Sequence, residues 1–205
     1  MRTVYQIALV DESLCCGDTI CVAVCPTGAI RMVDAIATID DGKCAACRRC
    51  EDVCPRSAIR IVKRSTPMTL GVFPETLDTV DREHVFQLCE KAGMSPDEPV
   101  CLCTLTRARD IAAVIILGAK TPKEVSLMTG VRTYCAMWCG APIQRLLLAH
   151  GLDFKAEENQ ETYPIKAALW NLPEEMNHKY PEYRISEDQE SHRNGTMDNI
   201  ASNLW

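Results

Sequence analysis

The sequence predicts an α+β chain in three parts: a small repeat domain of short strands and cysteine loops, a small helical domain, and an extended C-terminal tail. Three observations carry this. An ungapped internal repeat, offset by 29 residues, covers residues 1–64. Val10-Asp11 aligns with Ile39-Asp40, Cys21 with Cys50, Cys25-Pro26 with Cys54-Pro55, and Ala29-Ile30 with Ala58-Ile59. Residues 101–151 have helical patterning with start and stop signals. Residues 152–205 have weak periodicity, no cysteine, and Pro164, Pro173 and Pro181 to interrupt them.

Each repeat unit reads as a strand, a cysteine loop, a brief helical turn ending near the proline, and a second strand. The strands are expected near Tyr5–Val10, Ile30–Val33, Ala37–Asp40 and Ile59–Val62. Residues 65–100 read as a linker holding Pro67, Pro74, Pro96 and Pro99, with one helix over Asp81–Ala92. Its apolar Val85, Leu88 and Cys89 recur at helical spacing, and Gly93 stops it. That face either packs on its own protein or docks on a partner. Arg107–Leu117 reads as a helix stopped by Gly118. Thr121-Pro122-Lys123-Glu124 supplies a cap, a first-turn proline and a capping-box glutamate for a second helix, ending near Gly130. A third helix is expected from near Pro142 to His150.

Charge divides the chain. Through His150 there are 17 acidic and 17 basic residues; from Gly151 to Trp205 there are 11 acidic and 5 basic, which is the whole net −6. Lys43 to Arg64 is locally basic. An acidic tail with isolated Trp170, Tyr180, Tyr183 and Trp205 reads as disordered or wrapped over a partner subunit. Basic residues are few and no aromatic platform interleaves them, so nucleic acid is not expected as a partner. The longest apolar run, Ile111–Ala119, is far short of a membrane span. Met1–Val10 is too short and polar for a signal peptide. The expectation is a reducing compartment, the cytoplasm, where 13 cysteines serve metal rather than disulfides.

The cysteines of the repeat are spaced as ligands. The second unit is complete, with Cys44, Cys47, Cys50 and Cys54 before Pro55. The first has Cys15, Cys21 and Cys25 before Pro26, with Asp18 in the second cysteine's place. Such a tight loop supplies three thiolates to an iron–sulfur cube, and the fourth must come from elsewhere. This repeat resembles the bacterial-type two-cluster ferredoxins over roughly residues 1–64. The resemblance implies a ferredoxin-like repeat domain whose clusters exchange their fourth ligands. One 4Fe–4S cluster would take Cys25, Cys44, Cys47 and Cys50; the other would take Cys15, Cys21 and Cys54, with Asp18 facing the fourth iron. A carboxylate is a harder ligand than a thiolate. The alternatives are a cluster ligated by Asp18, a 3Fe–4S cluster, or Cys16 swinging in. Zinc is the plainer reading for cysteine loops, but it favours paired knuckles.

Cys101, Cys103, Cys135 and Cys139 form a second constellation. With Gly118-Ala119, the Thr121–Glu124 helix start, Thr129-Gly130 and a helix after the last cysteine, it resembles bacterioferritin-associated-ferredoxin-like domains. The resemblance implies a 2Fe–2S cluster, with zinc as the alternative. Three residues, Ala136 to Trp138, separate the last two cysteines, where the family usually has two. A helix from near Pro142 would point its N-terminal amides at the sulfides. Cys16 and Cys89 remain, Cys89 as a small buried hydrophobe.

No catalytic constellation accompanies these sites. His84, His150, His178 and His192 are scattered, and there is no G-x-G-x-x-G or P-loop. The expectation is a non-catalytic iron–sulfur electron-transfer subunit of a multi-subunit oxidoreductase. It would relay electrons between a flavin-containing catalytic partner and an external carrier, since domains of the second type recur with flavoprotein dehydrogenases. The tail aromatics would clamp the partner, and the basic Lys43–Arg64 segment would receive an acidic redox partner or tune potentials. The alternative is a free-standing ferredoxin-type carrier or iron–sulfur redox sensor.

Overall fold

A computed structural model of the chain describes residues 2–72, 74–136, 138–152 and 174–187. The chain divides into two compact units, Met1–Thr162 and Tyr163–Trp205. The first unit mixes short helices and strands, an α+β arrangement.

The repeat region contains β1 (Arg2–Val10), α1 (Ile20–Val24), β2 (Ile30–Val33), β3 (Ile36–Ile39), α2 (Arg49–Val53) and β4 (Ile59–Leu70). Pairing crosses between the units: β1 runs antiparallel to β4, and β2 to β3. The first strand of each unit thus pairs with the second strand of the other. Loop bonds obey the same exchange, with Asp11 N–H donating to Ala58 O and Asp40 N–H to Ala29 O, both at 2.7 Å. Backbone conformations recur at the 29-residue offset. Gly17 and Ala46, Thr19 and Arg48, and Gly28 and Ser57 all have positive φ. Cys25 and Cys54 end their helical turns at nearly the same angles, φ −71°, ψ 113° and φ −72°, ψ 111°. A left-handed residue turns the chain sharply, which lets a short loop direct several side chains inward.

β1 and β4 are longer than the sequence suggests. β1 begins at Arg2 rather than Tyr5, and β4 continues past Val62 to Leu70. The register shifts between Val4 and Gln6, which pair with Met68 and Lys63. This bulge takes Pro67 out of the regular ladder, so a residue that reads as a strand breaker sits inside a long ribbon. β3 spans Ile36–Ile39, one residue ahead of its expected position.

The ribbon leads into α3 (Pro74–Leu77), α4 (Arg82–Lys91), β5 (Pro99–Cys101), β6 (Thr106–Arg107), α5 (Ala108–Ile116), α6 (Pro122–Thr129) and α7 (Gly140–Ala149). Asp81 caps α4 by accepting from Glu83 N–H. The Thr121–Glu124 capping box starts α6, and left-handed Gly130 ends it. α7 starts at Gly140, two residues before the expected Pro142. Ile111, Val114, Val125, Val131, Ile143, Leu146 and Leu147 are fully buried at the centre of this region. α4 adds Val85, Leu88 and Cys89 to that core, so its apolar face is covered by its own protein.

The repeat and the helices share an apolar contact. Val4, Ala45 and Leu70 are buried together, with Met68, Ala46 and Leu127 of α6 against them. Val72 N–H donates to Met128 O at 2.7 Å, extending the join along the backbone. Arg2 donates to Thr133 Oγ1 at 3.2 Å and stacks over the Tyr134 ring at 4.5 Å.

In the second unit, α8 (Glu174–Lys179) is followed by a 3-10 turn at Pro181–Tyr183. Tyr180 and Tyr183 meet edge to face at 6.2 Å. Trp170 and Trp205, two of the expected tail anchors, lie outside the described residues. Among the described residues no helix is long and apolar enough to cross a membrane.

Candidate metal centres

Crossed pairing has a direct effect on the thiols. α1 carries Cys21 and ends at Cys25; α2 carries Cys50 and ends at Cys54. Because the two units interlock, each helix end faces the other unit's loop. Cys25, Cys44, Cys47 and Cys50 line one small cavity, part of it open to solvent. The other walls include Ala8, Ala29, Ile30, Ala45 and Ile61, with polar Thr27 and Arg48. Four thiols around a space walled by small apolar side chains form a donor set that fits a 4Fe–4S cube.

The thiols interact strongly with one another. Cys50 is pushed up to about 12, chiefly by burial and then by the charges of Cys47, Cys25 and Cys44. Burial likewise raises Cys47. Iron removes this mutual penalty, since a metal ligand must be a thiolate. Backbone amides already point at the sulfurs. Ala29 N–H donates to Cys25 Sγ at 3.2 Å and Ala8 N–H to Cys44 Sγ at 3.5 Å. Such bonds stabilise added negative charge and so ease reduction.

Around Cys21 the structure gathers the other set. Its thiol is pushed up to about 11, first by burial, then by Asp18, Cys15 and Cys54. Cys54 Sγ accepts from Ala58 N–H at 3.3 Å, matching the Cys25 bond in the other unit. Asp18 is exposed and occupies the position equivalent to Cys47. One of its oxygens accepts Ile20 N–H at 3.2 Å, at the start of α1, and the other accepts the Cys16 thiol at 3.5 Å. Asp18 and Cys16 therefore share one corner of the loop, and both alternatives named for that corner are within its reach.

The third set has an inner and an outer pair. Cys101, at the end of β5, and Cys139, immediately before α7, are buried; Cys103 and Cys135 are exposed, with sulfurs 3.5 Å apart. Burial first, then the charge of Cys101, pushes Cys139 up to about 11. Burial also pushes Cys101 up. Bonds from the Thr104 hydroxyl and from the amides of Thr104, Arg132 and Cys103 outweigh it, and the thiol lies below its ordinary value. The early start of α7 puts Cys139 at the helix N-terminus, where the helix dipole favours negative charge. Thr104, Arg132 and Thr27 escape a reading by ligand type, because they act through backbone or hydroxyl groups that no spacing rule marks.

Arg64 is a further residue that composition misplaces. Within the basic Lys43–Arg64 segment it is only 7% exposed. It donates to Gln6 O at 2.8 Å, to Asp41 O and Cys44 O at 2.9 Å each, and to the Asp41 carboxylate. Its charge fastens the Cys44 loop to the ribbon, and is not part of a surface offered to a redox partner.

None of the 13 cysteines is in a disulfide. Among the described residues, no three His, Cys, Asp or Glu side chains are arranged to hold a single metal ion.

These donor sets define a protein built around metal–sulfur chemistry. The comparisons make the class specific. Residues 7–55 match the family model of the 4Fe-4S dicluster domain, and residues 99–149 match that of the BFD-like [2Fe-2S] binding domain. The chain thus joins the two kinds of module that its cysteine spacing resembles, and iron–sulfur domains of these kinds indicate electron transfer. No curated protein and no solved structure matches the chain.

Proposed function

We propose that the chain is the non-catalytic iron–sulfur subunit of a larger oxidoreductase, relaying electrons between a flavin-containing partner and an external carrier. The observation that carries this reading is the coexistence of three separated thiol sets in one compact unit. Such sets offer redox stations. The repeat would be a ferredoxin-like two-cluster domain, with Cys25, Cys44, Cys47 and Cys50 holding one 4Fe–4S cluster and Cys15, Cys21 and Cys54 holding the other with Asp18. The fourth iron at Asp18 would be weakly held or missing, giving a 3Fe–4S form. Cys101, Cys103, Cys135 and Cys139 provide the two-plus-two thiolates of a 2Fe–2S rhomb. When bound, the clusters would take up and release single electrons.

The chain's own groups do the rest. Amides at Cys25, Cys44 and Cys54 and the start of α7 favour the reduced, more negative state. The apolar walls around Cys44 and Cys50 limit water. Free thiols throughout suit the cytoplasm. The test is to isolate the tagged chain anaerobically from its native host. Three distinct cluster signals with a co-purifying flavoprotein are expected. A colourless, zinc-loaded protein would sink the reading, and recovery as a lone three-cluster protein would favour the free-standing carrier.

A further inference from the structure

We infer that the three stations stand in a fixed order: the Cys101/Cys139 site, then the complete Cys25/Cys44/Cys47/Cys50 site, then the Asp18 site, with Arg132 as the cation between the first two. This rests on the reading that all three sets are loaded.

The repeat offers two equivalent cysteine loops, yet the helical region covers only one. Ala45 and Ala46, between Cys44 and Cys47, belong to the apolar contact with Leu127 of α6. Gly28, three residues after Cys25, lies so close to α6 that a Cβ there would sit 3.3 Å from Lys123 Cδ. Both flank ligands of the complete set. The equivalent first loop lies open: Leu14, Cys16, Asp18, Thr19 and Ile20 are all exposed.

Arg132 completes the geometry. It is half-buried and left-handed, with φ 67°. A non-glycine residue is held in that region only where its surroundings demand it. Its backbone amide favours the thiolate forms of both Cys101 and Cys139. Its guanidinium feels Cys139 and Cys25, one thiol from each of two sites, and also Arg49, which adjoins Cys50. No residue of the Asp18 set is among these. One side chain therefore couples the field at the 2Fe–2S site to that at the complete cube. Electron tunnelling falls steeply with separation, so the order follows. The Asp18 site stands at the open end, where it exchanges electrons with whatever meets that face.

Magnetic coupling between reduced clusters in the full chain, measured by electron paramagnetic resonance, tests the order. The 2Fe–2S spin should couple more strongly to the all-cysteine cube than to the Asp18 cluster. In Arg132→Gln, the 2Fe–2S and all-cysteine potentials should both shift negative while the Asp18 cluster keeps its own. Equal or stronger coupling to the Asp18 cluster overturns the order and leaves the three-cluster reading standing. So does an Arg132→Gln shift confined to the 2Fe–2S site or shared by the Asp18 site. Fewer than three cluster signals in the wild-type chain overturn both. Should the variant fail to fold, the wild-type coupling alone decides.

Discussion

Replacing Arg64 with methionine should release the loop that carries Cys44. Methionine retains most of the aliphatic stem, so little cavity is left; what disappears is the guanidinium. Three carbonyls, those of Gln6, Asp41 and Cys44, lose their donor. Gln6 and Asp41 are exposed and can turn to water, so each forfeits only a modest net bond. Cys44 is buried, and its carbonyl is left unpaired. A buried orphan costs about 1–3 kcal/mol and an exchanged bond about 1. The total is about 3–5 kcal/mol. The Asp41 ion pair adds little, because that carboxylate is mostly in water. Cluster proteins lose their metal on unfolding, so the measurable quantity is a rate. If half of this loss reaches the unfolding barrier, bleaching of the visible absorbance at fixed guanidinium should quicken by about 10- to 70-fold. The all-cysteine cube should go first. A half-life within twofold of the parent would refute the assignment of Arg64 as the fastener of this loop.

Three other outcomes follow from the same geometry. Leu70→Ala removes a side chain 2% exposed at the join between ribbon and α6. It should cost about 2–3 kcal/mol, the low end for buried leucines because the contact is small, read as faster bleaching of both kinds of cluster; loss from the 2Fe–2S site alone would argue against a shared contact. Asp18→Cys should convert the first site to the spectrum and iron content of an ordinary 4Fe–4S cube, and unchanged spectra and potentials would show that Asp18 has no bearing on the cluster. Cys89, fully buried, has its thiol pushed up to about 11 by burial and then by Glu98 and Asp110. The unfolded thiol gives up its proton near 9.0. The stability it contributes is therefore complete below pH 9 and fades toward pH 11. Peptide mapping after alkylation at pH 8 should find exposed Cys16 labelled and Cys89 spared; equal labelling would refute the buried placement.

Much of the repeat was legible because a cysteine loop and its recurrence are a matter of spacing. The offset between Cys21 and Cys50 anticipates the recurrence of helical turns at Ile20–Val24 and Arg49–Val53. The capping signals at Thr121 and the stop at Gly130 anticipate α6 to the residue. Other features had no signal of this kind. The ribbon beyond Val62 depends on a bulge that spares Pro67 a ladder bond, which is a property of the pairing and not of the proline. Arg64 looks like its exposed neighbours Arg60 and Lys63, and only its partners across the fold distinguish it. Arg132 matters through its amide and its left-handed backbone, neither of which composition encodes.

The crossed strand pairing has a consequence for chain integrity. Asp34 and Ala35, both left-handed and exposed, form the turn where β2 reverses into β3. A protease cutting there would separate the two repeat units in sequence without separating them in space. The amino-terminal fragment would still contribute β1 to β4 and β2 to β3. It would also carry Cys25 into a site otherwise built by the remaining fragment, which in turn would lend back Cys54. Neither piece could close a site of the repeat alone, so the nicked molecule would hold together as a complementing pair for as long as the metal of the repeat stayed in place.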